Sequence, residues 1–278
     1  MKHSMTVRVG NKQAIVEKII RHFPAHEIFI ELFSGAGGIL LNKPLAKKNY
    51  VNDNDTQLYH LISYLTGHRD LKKLLHYFEI IPYHATLFEL YKNPDYEPIH
   101  DEDKATRFLV LHNFGFLGKS ETMKFGSENP KEVLKKKLLY AEKFFRENSN
   151  KIQYSCKDWK KFLQSYSIRD DAERNKILIY ADPPYCETDH NYEAGGFDKA
   201  KTEELLQYLV EFRCTFFMSE FESDFIAALS KKYKLRLIIV GERQNLKNRR
   251  TEVLLTNYIK PTVRFDPIKK IFVKDERG

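Results

Sequence analysis

Ile177-Leu178-Ile179-Tyr180-Ala181 is a continuous apolar run that ends at Asp182-Pro183-Pro184. Such a run without polar alternation suits a strand buried on both faces, and strands of that kind belong to parallel sheets covered by helices. The prolines cannot continue a hydrogen-bonded ladder, so the chain turns away where the strand ends. Other strands must lie beside it. Ile28-Phe29-Ile30-Glu31-Leu32-Phe33 is a β-prone run that stops at Ser34-Gly35-Ala36-Gly37-Gly38, and Asn49-Tyr50-Val51-Asn52 leads into Asp53-Asn54-Asp55. Strand, glycine turn, helix, strand and acidic end make half of a doubly wound sheet.

The rest of the chain is read around that frame. Residues 12–23 read as an amphipathic helix, with Ile15, Ile19 and Phe23 on one stripe, Val16 and Ile20 beside it, and Pro24 as the stop. A helix runs through Leu58, Leu61, Ile62 and Leu65. From about Thr66 to about Asn150 the alternation disappears. Helical stretches there are separated by Asn93-Pro94-Asp95-Tyr96-Glu97-Pro98 and by the loop Gly115 to Pro130, and the last helix carries Leu134, Leu138, Ala141 and Phe145. We expect this block to be an inserted domain or large helical lobe. Alternation then resumes: strand Ile152–Cys156, helix Asp158–Tyr166, the run 177–181, a helix around Leu205-Leu206-Leu209, strand Cys214–Ser219, a helix near Phe225–Leu229, and strands Leu235–Val240 and Glu252–Tyr258.

Composition narrows the class. No stretch approaches the ~20 apolar residues that a membrane span needs, and Met1-Lys2-His3-Ser4 is not followed by an apolar signal core. Cys156, Cys186 and Cys214 cannot all pair and none stands in a Cys-x-x-Cys arrangement. A disulfide framework and a cysteine zinc site are therefore not expected, and the reducing cytoplasm is the expected compartment. The ten histidines show no metal-ligand spacing. With 46 Lys plus Arg against 38 Asp plus Glu, the net charge of +8 fits a polyanionic partner.

Two clusters carry chemistry. A third glycine at the dinucleotide spacing after Gly35 and Gly37 would fall on Leu40, so the pyrophosphate fingerprint fails. The acidic Glu31 beside this turn suits a nucleoside-type ligand with a cationic group, such as S-adenosylmethionine, and Asp53 at the next strand end can accept from both ribose hydroxyls. The second cluster is Asp182-Pro183-Pro184-Tyr185. An exocyclic base amine is a poor nucleophile because its lone pair is delocalised into the ring. The Asp182 carboxylate and the Pro183 carbonyl can accept its two hydrogens and stabilise the positive charge that develops on attack. Tyr185 offers a π-face to a base rotated out of the duplex.

The order Glu31-x-Phe33-x-Gly35-x-Gly37, Asp53, an inserted block, then Asp182-Pro183-Pro184-Tyr185 resembles the DNA adenine-N6 methyltransferases of the D12 class, the alpha group of amino-methyltransferases. Gly10-Asn11-Lys12 resembles that family's N-terminal Gly-Gly-Lys, where the lysine lies at the cofactor and catalytic pocket. Cys156-Lys157-Asp158-Trp159 resembles its strand-end Asp-aromatic pair, which holds the cofactor's adenine. Tyr192 and Phe197 match loop aromatics after the catalytic motif, and Arg250 to Tyr258 looks like the closing strand. The resemblance implies an α/β fold: a Rossmann-like, seven-stranded mixed sheet with an inserted, mainly helical target recognition domain. It implies residues 1–65 and 151–278 as the catalytic domain and 66–150 as the insert. It further implies S-adenosylmethionine as methyl donor, S-adenosylhomocysteine as product, no metal, and double-stranded DNA as partner. A cognate restriction endonuclease would fit the family; oligomeric state is left open.

The departures concern the target. Where the family commonly has Phe-Asn-Gly-Leu-x-Arg, this chain reads Asn113-Phe114-Gly115-Phe116-Leu117-Gly118-Lys119. Lys119 cannot make the bidentate fork that arginine makes on guanine, so a target other than GATC, or a relaxed form of it, is expected. Lys119 and a basic turn of Arg243, Lys247, Arg249 and Arg250 are candidate DNA contacts, alongside Lys12, Tyr185, Tyr192 and Phe197. Methylation of cytosine N4 uses the same acceptors. Methylation of RNA or of a protein amide, and a DNA-binding module without turnover, remain the other readings.

Overall fold

The computed structural model describes residues 2–7, 10–115, 122–123, 130–186, 197–244, 249–259, 263–266 and 271–274. In chain order its elements are α1 (Val16–Ile20), β1 (Ile28–Glu31), β2 (Lys48–Asn52), α2 (Thr56–Leu65), α3 (Leu71–Ile80), α4 (Ala85–Lys92), α5 (Asp101–Asn113) and α6 (Pro130–Glu147). They continue as β3 (Ile152–Ser155), α7 (Trp159–Gln164), α8 (Asp171–Arg174), β4 (Ile177–Ala181), α9 (Lys199–Phe212), β5 (Thr215–Phe221), α10 (Asp224–Lys232), β6 (Arg236–Gln244), β7 (Arg249–Thr256), β8 (Val263–Asp266) and β9 (Ile271–Lys274). The chain divides into two compact units. One comprises residues 1–13, 35–41 and 55–150; the other comprises 14–34, 42–54 and 151–278.

The second unit holds a seven-stranded sheet in the order β3-β2-β1-β4-β5-β7-β6, parallel except for β7, which runs antiparallel to both β5 and β6. This is the mixed seven-stranded sheet that the family resemblance implied. All five residues of β4 are buried, as its unbroken apolar run requires. Strand residues Ile28, Ile30, Ile177, Ile179, Phe216 and Met218 join Leu163, Leu205 and Leu209 from the helices in one apolar core. The chain steps outward from β1 to β2 and β3, then returns to place β4 on the other side of β1. Open α/β sheets bind ligands outside the carboxyl ends of their strands at such a reversal. Register puts Glu31 opposite Val51 and Tyr180, Asn52 opposite Ser155, and Ala181 opposite Met218, so those ends share one edge.

The first unit is built from α2 to α6. Leu134, Leu138, Ala141 and Phe145 are the buried residues of α6, at the spacing that one helical face demands. Asp103 of α5 is fully buried and accepts from the hydroxyls of Tyr77 (3.2 Å), Tyr91 (2.8 Å) and Tyr96 (2.6 Å) and from the Ile99 amide (3.1 Å).

Two sequence expectations are corrected. The single helix over 12–23 is a 3-10 turn (Lys12–Ala14) followed by the short α1. Ile15, Val16, Ile19, Ile20 and Phe23 are nevertheless all buried. Ile15 takes a non-helical ψ of 6°, and four β-branched residues in six positions give the segment little intrinsic helicity. The helix anticipated after the glycine turn is also missing: residues 35–41 form successive turns. Three glycines in four positions and Pro44 shortly after them remove the propensity for a longer helix. Gly35 and Gly37 have φ of +49° and +73°, the left-handed region that side chains resist.

Candidate active site

The carboxyl edge of the sheet gathers the candidate residues of the second unit. Leu32 donates its amide to the Tyr180 carbonyl (3.0 Å), Ser34 to Asn52 (3.0 Å) and Asp53 to Ser155 (3.2 Å), so the segments leaving β1, β2, β3 and β4 remain tied beyond the strands. Asn52 does much of the tying. Its Nδ2 donates to the carbonyls of Leu32 (3.2 Å) and Lys157 (2.9 Å), and its Oδ1 accepts from the Ser155 hydroxyl (2.6 Å) and the Lys157 amide (3.1 Å). One buried amide with all four hydrogen bonds made thus holds Phe33, Asp53 and Asp158 in a common frame. Sequence reading named Asn52 only as the end of a strand.

Asp158 caps α7, its Oδ1 accepting from the amides of Lys160 (3.0 Å) and Lys161 (3.2 Å). With Asn54, Cys156, Lys157 and Lys161 it lines a cavity of about 520 Å³. Trp159, proposed from sequence beside Asp158, is 8 % exposed and packs edge-to-face on Tyr208 at 5.5 Å, inside the core. Its apolar ring follows the helix face that meets the sheet. Phe33 packs edge-to-face on Phe197 at 5.8 Å, so these two candidates meet each other, with Phe197 in the core.

Glu31 is buried at the end of β1. The nearby Lys43 ammonium donates to the Pro44 carbonyl (2.7 Å) and lies 4.0 Å from the Phe29 ring centre. Burial pushes Lys43 down to about 7, and the negative charge of Glu31 opposes that fall.

Asp182 to Tyr185 follow β4 as irregular chain. Tyr185 is 7 % exposed: its hydroxyl donates to Glu252 Oε1 at 2.6 Å and its ring meets Phe221 edge-to-face at 4.6 Å. Burial, with the negative charges of Asp182 and Glu252, holds the hydroxyl well above its ordinary range, so it stays a donor. The next residue, Cys186, donates its amide to Glu220 Oε1 at 2.9 Å. The Arg250 guanidinium lies 5.3 Å from the Phe221 ring centre. Glu220 and Glu252 were missed from sequence; the signal available was a charged residue among the mainly apolar residues of β5 for Glu220, whereas Glu252 follows Arg249, Arg250 and Thr251 in β7 and carried none.

Burial pushes the Glu220 carboxyl up to about 8; the Cys186 and Phe221 bonds oppose this and the charge of Asp182 adds to it. A raised acid favours the fold below its unfolded value and loses that advantage as pH rises through the folded one. The unaltered protein is therefore expected to lose stability relative to Glu220→Gln between about pH 4.5 and about pH 8, and the difference then levels off. Urea denaturation across that range measures it, and parallel pH profiles would contradict it.

Gly10, Lys12, Gly35 and Gly37 belong to the first unit. Lys12 is buried and its ammonium donates to the Gly10 carbonyl at 3.1 Å. Lys119, Tyr192 and Lys247, and the side chains of Arg243 and Arg249, lie outside the described residues. No group of three or more potential metal ligands occurs among the described residues. No described helix is long and apolar enough to cross a membrane.

Comparison with known proteins places most of this region within one family. The profile of the D12 class N6 adenine-specific DNA methyltransferases matches residues 9–250. The Retron Ec67 DNA adenine methylase of Escherichia coli is 24 % identical over 280 residues, 94 % of each chain. The DNA adenine methylase of Escherichia coli K12 is 25 % identical over 187 residues, covering 64 % of this chain and 63 % of that protein. The Type II methyltransferase M.FokI of Planomicrobium okeanokoites is 24 % identical over 284 residues, 90 % of this chain but 42 % of that protein.

Proposed function

Since this chain belongs to the D12 class of N6 adenine-specific DNA methyltransferases, we propose that it transfers a methyl group from S-adenosylmethionine to the N6 amine of an adenine turned out of duplex DNA. The observation that carries the reading is the position of Asp182-Pro183-Pro184-Tyr185. It leaves the carboxyl end of β4, directly beside β1, where the order of the sheet reverses.

The donor set fits a nucleoside carrying a cation. Asp53 and Asp158 stand at the ends of β2 and β3, and the cavity beside Asp158 has room for a base and its sugar. Glu31 places a carboxylate, rather than a phosphate-binding cradle, at the end of β1. When bound, the cofactor supplies an electrophilic methyl group on a sulfonium. The protein does the rest through fixed acceptors. Asp182 accepts a hydrogen bond from one amine N–H and the Pro183 carbonyl from the other, drawing nitrogen toward tetrahedral geometry as positive charge grows on it. Tyr185 holds the plane of the base by stacking. Gly10, Lys12, Gly35, Gly37 and Phe33 are assigned to the cofactor by resemblance; Lys12, Lys119, Tyr192, Phe197, Arg249 and Arg250 are assigned to DNA in the same way. The helical insert of residues 66–150, which belongs to the first unit, is the part proposed to read the target. Residence in the cytoplasm, on the nucleoid when bound to DNA, and pairing with a restriction endonuclease belong to the same proposal.

Long-read sequencing of DNA from cells expressing the protein tests the reading, because it reports base, position and context together. N6-methyladenine is expected; N4-methylcytosine or unmodified DNA would overturn it. The same data test target choice. A bidentate arginine contact discriminates by about 1–3 kcal/mol, and Gly118-Lys119 cannot supply it. Modified sites are therefore expected at a sequence other than GATC or at a relaxed set including it, and stringent GATC methylation would show that another residue reads that guanine. Asp53→Ala is expected to weaken S-adenosylmethionine binding by roughly 1–3 kcal/mol, the range for leaving hydroxyl partners unsatisfied. Unchanged affinity in calorimetry would remove Asp53 from the ribose.

A further inference from the structure

Two buried carboxyl groups grip the catalytic segment without any part in the chemistry assigned to it. Register puts Phe221 opposite Glu252 and Glu220 opposite Val253. Residues directly opposite share a face and successive residues alternate, so Glu220 and Glu252 project to opposite faces of the sheet. One reaches the Tyr185 hydroxyl and the other the Cys186 amide. The Tyr185-Cys186 dipeptide is thus held from both sides of the strand ends.

These carboxyl groups are 1 % and 0 % exposed. Burying an acid costs more than burying an apolar residue of similar volume unless its hydrogen bonds are used. Here they hold a segment that lies outside any helix or strand. We propose that Glu220 and Glu252 are positioning residues, a two-sided clamp that fixes the angle of the Tyr185 ring and the placement of the Asp182 and Pro183 acceptors. The inference rests on the reading of Asp182–Tyr185 as the catalytic segment. With the hydroxyl tied to Glu252 and one side of the ring set by Phe221, Tyr185 is a preorganised platform.

The test uses the full chain, duplex DNA carrying the methylated sequence found in expressing cells, and labelled S-adenosylmethionine. Glu220→Ala is expected to lower kcat about 10–100-fold, the scale of a small misplacement of reacting groups, while leaving the cofactor KM within about two-fold. Glu220→Gln keeps an acceptor for the Cys186 amide and is expected to stay within about three-fold of the unaltered enzyme. Tyr185→Phe and Glu252→Leu remove the two ends of one bond, so the double variant should be no slower than the worse single one. Hydrogen exchange at the Cys186 amide should be slow in the unaltered protein and in Glu220→Gln, and fast in Glu220→Ala. Unchanged turnover in Glu220→Ala, equal losses in the Ala and Gln variants, additive losses at Tyr185 and Glu252, or rapid exchange at Cys186 in the unaltered protein would each overturn the clamp. If Glu220→Ala does not fold, the cycle and the exchange in the unaltered protein still decide. Absence of methyl transfer by the unaltered protein would instead overturn the functional reading, and the exchange data alone would then judge the clamp.

Discussion

Asp182→Ala is expected to lower the rate of methyl transfer by about 10²–10³-fold or more, the usual cost of deleting one preorganised acceptor from a transition state. The amine gains positive charge only as the methyl group arrives, so the missing carboxylate is felt in kcat more than in binding. S-adenosylmethionine affinity should stay measurable by calorimetry. The substitution should also leave the sheet intact, because Asp182 lies beyond β4, whose buried residues Ile177–Ala181 make the core contacts. Single-turnover transfer to duplex DNA is the measurement. Turnover within a few-fold of the unaltered enzyme would take Asp182 out of its assigned role.

Asp103→Ala is expected to destabilise the helical unit by about 3–5 kcal/mol, the range for breaking a buried charged network by removing one partner. Three tyrosine hydroxyls and the Ile99 amide would lose the fully buried carboxylate that accepts from them. Asp103→Asn should cost less, because hydroxyls can rotate to accept from an amide NH₂ whereas the Ile99 amide cannot. The pH dependence follows with a definite sign. Burial works to raise the Asp103 carboxyl, but the bonds from Tyr96, Tyr91, Ile99 and Tyr77 outweigh it and hold it below its ordinary 3.8. Its stabilisation is therefore complete above that value and is lost as pH falls through the lower, folded one. Urea denaturation at pH 7 and near pH 3 should show the unaltered protein losing stability on acidification more steeply than Asp103→Asn. A loss under about 1 kcal/mol in Asp103→Ala at pH 7 would contradict this account.

Much of the architecture was legible because burial leaves a period in the sequence. The unbroken run 177–181 announced a strand covered on both faces, and the four-residue stripe Leu134, Leu138, Ala141, Phe145 announced the buried side of α6. The apolar stripe of 12–23 was equally clear and its residues are buried, yet most of the segment is not α-helix. Periodicity reports which side chains face inward; it does not weigh β-branching and local backbone angles against that burial. The glycine turn shows the same limit, since Gly35, Gly37 and Gly38 mark a turn without saying that the chain keeps turning to residue 41.

Local pattern was enough to read most of the order of strands and helices along the chain, and to mark the acidic residues at or just beyond four strand ends: Glu31, Asp53, Asp158 and Asp182. Glu31 is the last residue of β1, Asp53 and Asp182 directly follow β2 and β4, and Asp158 lies three residues past β3; a strand end is a local property of the chain. The tertiary structure alone decided what holds those residues in place. Asn52 meets Leu32, Ser155 and Lys157, while Glu220 and Glu252 meet Cys186 and Tyr185, across 20 to 105 positions of sequence. A hydrogen bond between such distant groups depends on strand register and on which face each residue takes. That register comes from the packing of the whole sheet, so no local pattern around Glu220 or Glu252 could announce its partner.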